Sequence, residues 1–154
     1  MAYSGSNFDV VVVGMLGAYP MAPAGAAPAR RLLSKGVNQA IAVARLGGRV
    51  ALIGRLCPQN GDLLQLLADE GVDTAGVLTG GGRHLEAADL QHAHRFVHTS
   101  AVMLTQLELP LQTVQLALRM ARAYGVRTIL DPAPPRRVSD ELLGLVDVLR
   151  PNAQ

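Results

Sequence analysis

Tryptophan is absent from this 154-residue chain and aromatic residues make up only 3% of it, which leaves little to stack on nucleobases or to line an aromatic sugar platform. Charge of one sign is scarce as well. Lys and Arg total 14 against 12 Asp and Glu, and the resulting +2 is too small to build a phosphate-tracking face, so no nucleic-acid partner is expected. Cys57 is the only cysteine, so neither an internal disulfide nor a multi-cysteine zinc centre can form, which suits a reducing cytoplasmic setting and speaks against secretion. The early apolar run from Val10 to Val13 follows Asp9 and is far shorter than the ~20 residues of a membrane span. No basic segment precedes it, so neither a signal peptide nor a membrane partner is expected. Any ligand must be held by polar side chains and backbone.

With 49% hydrophobic and 17% charged residues, the chain has the composition of one compact domain, and a single domain over 1–154 is the simplest account. Phe8 to Gly14 is a β-branched run closed by glycine, the pattern of a strand buried on both faces of a parallel α/β sheet. Met15 to Leu33, with Pro20, Pro23 and Pro28 among Ala and Gly, reads as a long loop. Gly36 to Leu46 carries Val37, Ala40, Ile41 and Ala44 on one helical face and stops at Gly47-Gly48. Arg49 to Gly54 reads as a strand, Asp62 to Glu70 as a helix and Thr74 to Leu78 as a short extended piece. Past Gly80-Gly81-Gly82, His84 to Ala93 reads as a short helix with Glu86 and Asp89 toward solvent. Ala101 to Leu107, Leu111 to Tyr124, Val126 to Leu130, Asp140 to Leu145 and Val146 to Leu149 then alternate strand and helix. This rhythm predicts a Rossmann-like, mostly parallel sheet with flanking helices.

In such sheets ligands bind beyond the carboxyl ends of the strands, which singles out Gly14 to Tyr19, Gln106, Glu108, Asp131 and Asn152. Glu108 and Asp131 bring two carboxylates to one rim. Ser34-Lys35-Gly36-Val37-Asn38-Gln39 opens the first long helix, where free N–H groups and a cation face an oxygen-rich ligand. It is not a P-loop, since G-x-x-x-x-G-K-[ST] is incomplete. Lys35 is the only lysine in the chain, which otherwise uses arginine for positive charge.

Taken in order, these segments resemble the ribokinase-like, or PfkB-type, carbohydrate kinases. The resemblance rests on the Val10 to Gly14 strand, Lys35-Gly36-Val37-Asn38-Gln39-Ala40 against the family's G-G-K-G-x-N-Q-A, and Ala44-Arg45-Leu46-Gly47. It continues through Gly71-Val72-Asp73-Thr74, Gln106-Leu107-Glu108-Leu109-Pro110, Asp131-Pro132-Ala133-Pro134 and Arg150-Pro151-Asn152. It implies a ribokinase-like fold and ATP-dependent phosphorylation of a sugar or nucleoside hydroxyl, with Lys35, Gly36, Asn38 and Glu108 holding substrate and Asn152 on the nucleotide or metal side. ATP and Mg2+ are the implied cofactors. The family's base and anion-hole N–H groups lie in a G-A-G-D turn that this sequence does not contain, so no catalytic residue is assigned. The chain is accordingly expected to hold the sugar-side, N-terminal portion, without the ATP-binding half and without turnover. Gly17 and Tyr19 stand where the family carries an Asn and an Asp, the Asp gripping sugar hydroxyls, and Leu33-Ser34 replaces its Gly-Gly. Cys57-Pro58-Gln59-Asn60-Gly61 stands for G-x-D-x-x-G, and most of the lid is missing between Leu78 and His84.

Two other readings stay open at this stage. One is a non-catalytic sugar-binding or scaffolding half-kinase that forms a homo-oligomer or pairs with a complementary chain, covering an otherwise open sheet edge. The other is a remnant without selected function. His92, His94 and His98 are read as surface or packing residues, because i, i+2 spacing divides the first pair between helix faces. Cys57 is read as a small buried hydrophobe, Arg136 and Arg137 as a solvated turn, and Met15, Met21, Met103 and Met120 as packing residues.

Overall fold

The computed structural model of the chain describes residues 7–20, 31–82 and 84–152. Along the sequence run β1 (Phe8–Val13), β2 (Ala18–Pro20), β3 (Arg31–Leu33), α1 (Lys35–Arg45), β4 (Val50–Leu56), α2 (Leu63–Asp69) and β5 (Asp73–Thr79). Then come α3 (His94–His98), β6 (Ser100–Gln106), α4 (Leu111–Ala123), β7 (Arg127–Asp131), α5 (Asp140–Leu143) and β8 (Val148–Leu149). Six strands form one sheet in the order β5-β4-β1-β6-β7-β8, and every pairing is parallel. β1 sits between β4 and β6, and its Val11, Val12 and Val13 are fully buried, as a β-branched run on a two-sided sheet demands.

Helices cover both faces. Val37, Ala40 and Ile41 of α1 and Leu63 and Leu67 of α2 pack with Val12, Leu52 and Leu56 on one face. On the other, Phe96 and Val97 of α3, Val114, Ala117, Leu118 and Ala121 of α4 and Leu142 of α5 pack with Val11, Val13, Ile53 and Leu130. Burying one such Leu or Ile contributes about 1.5–3 kcal/mol, so these two layers hold the helices in place. The chain moves outward from β1 through β4 to β5, returns to β6 on β1's other side, and continues outward to β7 and β8. The carboxyl end of β1 is therefore the topological switch point, the place where an open α/β sheet leaves a crevice. At the far edge the two-residue β8 leaves Leu149 49% exposed.

Three expectations need correction. The stretch read as a loop contains β2 and β3, paired antiparallel with Ala18 opposite Leu33 and Pro20 opposite Arg31. Pro20 is tolerated because it ends a short, two-stranded ladder. The part of the stretch at 21–30 lies outside the described residues. The extended piece expected over Thr74 to Leu78 is present as the edge strand β5, one residue longer at each end. The helix read over His84 to Ala93 is instead a 3₁₀ segment, Ala87–His92, followed by α3, and its start is fixed by a reciprocal capping box between Glu86 and Asp89. Asp89 does not face solvent: Arg55 donates to its carboxylate at 2.6 Å and to the carbonyl of Gly80, fastening the glycine connection to β4. Among the described residues no strand lies between Thr79 and Ala87, and no helix is long and apolar enough to cross a membrane.

Candidate functional site

Two glycines set the geometry at the switch point. A Cβ on Gly14 would meet the Gly36 Cα at 3.1 Å, and one on Gly36 would meet the Gly14 Cα at 3.2 Å, so the first turn of α1 lies directly on the end of β1. Ser34, at the N-cap, makes no side-chain bond to the helix. Its hydroxyl donates to the Met15 carbonyl and accepts from the Gly17 N–H at 3.3 Å, which ties the start of α1 to the chain leaving β1. The first N–H groups of α1 are thus left for a partner outside the helix. The partner is Glu108, just past β6, whose carboxylate accepts from the Lys35 N–H.

A second carboxylate closes the other side. Asp131, the last residue of β7, has a side chain only 2% exposed, and its Oδ2 accepts from Lys35 Nζ at 3.1 Å and from Gln39 Nε2 at 3.0 Å. Lys35 and Gln39 are one helical turn apart and reach the same oxygen from the same face. Gln106, fully buried at the end of β6, donates through Nε2 to Gln39 Oε1. Asp131 Oδ1, Gln106 Oε1 and Glu108 Oε2 are buried without a hydrogen-bond partner, so each of these three side chains keeps one unsatisfied acceptor. Each such atom is a standing desolvation penalty that a donor from a ligand or a water would relieve.

Burial raises the Glu108 carboxyl above the usual carboxylate range, and the neighbouring Asp131 charge works in the same direction. The Lys35 N–H and ammonium oppose the shift but do not reverse it. Below the ordinary carboxylate pKa both folded and unfolded chains hold the proton. As pH rises through that range the unfolded chain ionises first, and the folded state loses stability. Glu108→Gln removes this loss, so the stability of the variant relative to wild type should be greater at about pH 7 than at about pH 4 in urea titrations. An unchanged difference between the two pH values would refute the burial argument.

The sequence had assigned Lys35, Gly36, Asn38 and Glu108 to the substrate side. Lys35, Gly36 and Glu108 come together at the start of α1. Asn38 lies in the same turn region but is exposed, and its Nδ2 donates back to the Leu33 carbonyl at 2.9 Å. Asn152 is exposed, with its Oδ1 3.4 Å from the Arg150 guanidinium, which in turn stands 4.0 Å from Asp131. Gln39, Gln106 and Ser34 fall in the segments that the sequence singles out, but their bonds, and the pairing of Asp131 with Lys35, are not legible there. The i, i+4 spacing of Lys35 and Gln39 was the available signal. Arg136 lies in an exposed connection, as expected, and its Nη1 also donates to the carbonyls of Leu107 and Leu109. Among the described residues no three His, Cys, Asp or Glu side chains converge on a metal-sized site.

No family model matches the sequence. A ribokinase of Haemophilus influenzae is 33% identical to it over 145 residues, covering 77% of this chain and 47% of that protein. The chain belongs to the ribokinase-like, or PfkB-type, carbohydrate kinase family. It spans about half the length of that relative. Solved structures agree on the fold of this ribokinase-like chain. Arabidopsis thaliana ribokinase in complex with ribose and ATP superposes with a TM-score of 0.68 at 22% identity, over 94% of this chain and 60% of that one. Ribokinase from Giardia lamblia gives 0.74 at 15% identity, over 95% and 58%.

The nucleotide and metal implied by the family can be tested against the residues themselves. Asn152 points to Arg150, Asp131 Oδ2 is already committed to Lys35 and Gln39, and no carboxylate trio converges. Among the described residues, then, no ready-made metal cluster is present, and no chemical step is routed through a nucleotide or a metal.

Proposed function

We propose that this chain forms the sugar-side portion of a ribokinase-like kinase, gripping hydroxyls of a sugar or nucleoside with Lys35, Gly36, Asn38 and Glu108. The observation that carries the reading is the meeting of the Glu108 carboxylate with the N-terminus of α1 at the switch point, flanked by unsatisfied acceptors. A hydroxyl both donates and accepts, so a polyol suits a rim that offers carboxylate oxygens beside an ammonium. In this reading Asn38 turns from Leu33 toward the sugar on binding, and Asn152 marks the side from which a nucleotide would approach. The family's reaction, transfer of a phosphoryl group from ATP to the sugar, needs donors and a base that we place outside these 154 residues, since no G-A-G-D occurs in them. We place the chain in the reducing cytoplasm on the strength of its single cysteine.

Thermal unfolding with a panel of pentoses, hexoses and nucleosides tests this. A sugar at ~100 times its Kd adds about 2.7 kcal/mol, which in a domain of this size raises Tm by roughly 5–10 °C. In the same samples, ATP and Mg2+ should give no ADP release beyond background. Absence of any shift with every sugar would refute the pocket; magnesium-dependent turnover would refute the assignment of the transfer machinery elsewhere.

A further inference from the structure

Glu108 sits in the turn between β6 and α4, and a turn residue holds its side chain in place only as well as its backbone is held. The flanking side chains, Leu107 and Leu109, are 1% and 0% exposed in the core beneath α4. The Leu107 N–H donates to the Ala133 carbonyl at 3.1 Å. The carbonyls of Leu107 and Leu109, on either side of Glu108, both accept from one nitrogen, Arg136 Nη1, at 3.1 and 3.0 Å. Arg136 lies in the connection that leaves β7 just after Asp131. A single guanidinium therefore bridges the carbonyls of the residues on either side of Glu108 and couples them to the connection that follows Asp131, the other site acid.

We infer that Arg136 is a positioning residue for Glu108. It touches no substrate; it fixes the turn so that the carboxylate stays against the Lys35 N–H. Turn carbonyls that no ladder satisfies require donors from elsewhere, and bonds from a charged donor are the stronger kind. Without them the Glu108 backbone can rotate its carboxylate into water, and a displacement of about 1 Å is enough to weaken a site built on directed oxygens. The sugar-binding consequence rests on the function proposed above; the positioning of Glu108 does not.

Two readouts on the full chain separate those layers. In ligand-free protein, the amide resonance of Lys35 should move with pH as Glu108 ionises; Arg136→Met, which keeps the aliphatic stem and removes the donors, should flatten that response. With the sugar giving the largest thermal shift, Arg136→Met should weaken binding about tenfold, the equivalent of one charge-assisted hydrogen bond. In a Glu108→Gln background it should cause no additional loss, whereas a generally structural arginine would give additive losses. Arg136→Gln replaces the methionine variant if that one does not fold. A folded variant with the wild-type Lys35 pH response, additive losses with Glu108→Gln, or global unfolding of both variants would each overturn the inference. If wild type binds no sugar but its Lys35 response depends on Arg136, the functional reading fails and the positioning role stands.

Discussion

Gly14→Ala should lower stability by about 3 kcal/mol and remove the sugar-dependent thermal shift. The new Cβ would lie 2.5 Å from Gln106 Oε1 and 3.1 Å from the Gly36 Cα. Neither neighbour can give way cheaply. Gln106 is fully buried and tied to Gln39, and Gly36 is backbone within the first turn of a helix that packs on the sheet. Overpacking a core usually costs about 1–3 kcal/mol, and the upper end applies where the obstructing atom is backbone. Relief requires α1 to lift from β1, which carries Lys35 away from both Glu108 and Asp131. Gly61→Ala is the control, since a Cβ there meets nothing within 4 Å and the backbone is right-handed helical. In thermal melts the first variant should lose roughly 6–12 °C and the second should stay near wild type. A wild-type Tm for Gly14→Ala would refute the close seating of α1 on which the site depends.

The same contact explains what could be read from the sequence. Strands β1, β4, β6 and β7 announce themselves because a parallel strand covered on both faces carries a near-continuous apolar run, and helices α1 and α4 because their apolar residues recur at the helical period. Lys35 and Glu108 were legible as members of ordered motifs that meet at the crevice. The pairing of β2 with β3 was not, since Pro and Gly are compatible with both loop and edge ladder and the choice is made by tertiary anchoring through Ser34. The partners of Asp89 and of the exposed Arg136 escape the sequence for a related reason. A charged residue in a polar segment looks solvated until its distant partner is known, and those partners, Arg55 and the Glu108 turn, lie 34 and 27 to 29 positions away. Local pattern thus exposes elements well and exposes the clasps between them poorly.

Asp131→Ala probes the most consequential of those clasps. Its carboxylate is almost fully buried and accepts from both Lys35 and Gln39, while the Lys35 side chain remains 32% exposed. Removing one partner of a wholly buried ion pair costs about 3–5 kcal/mol, because a charge is left without compensation. Here the ammonium can turn to water, which lowers the expected loss to about 2–3 kcal/mol. Asp131→Asn divides that figure. It keeps an oxygen for one of the two donors and loses the charge, so it should sacrifice about half as much stability. Function should not divide in the same way. If Lys35 must be held across the crevice to meet a polyol, both variants release it, and both should lose most of the sugar-dependent rise in Tm despite their different stabilities. Equal sugar responses in wild type and Asp131→Asn would show that the ion pair stabilises the fold and takes no part in arranging the ammonium for ligand.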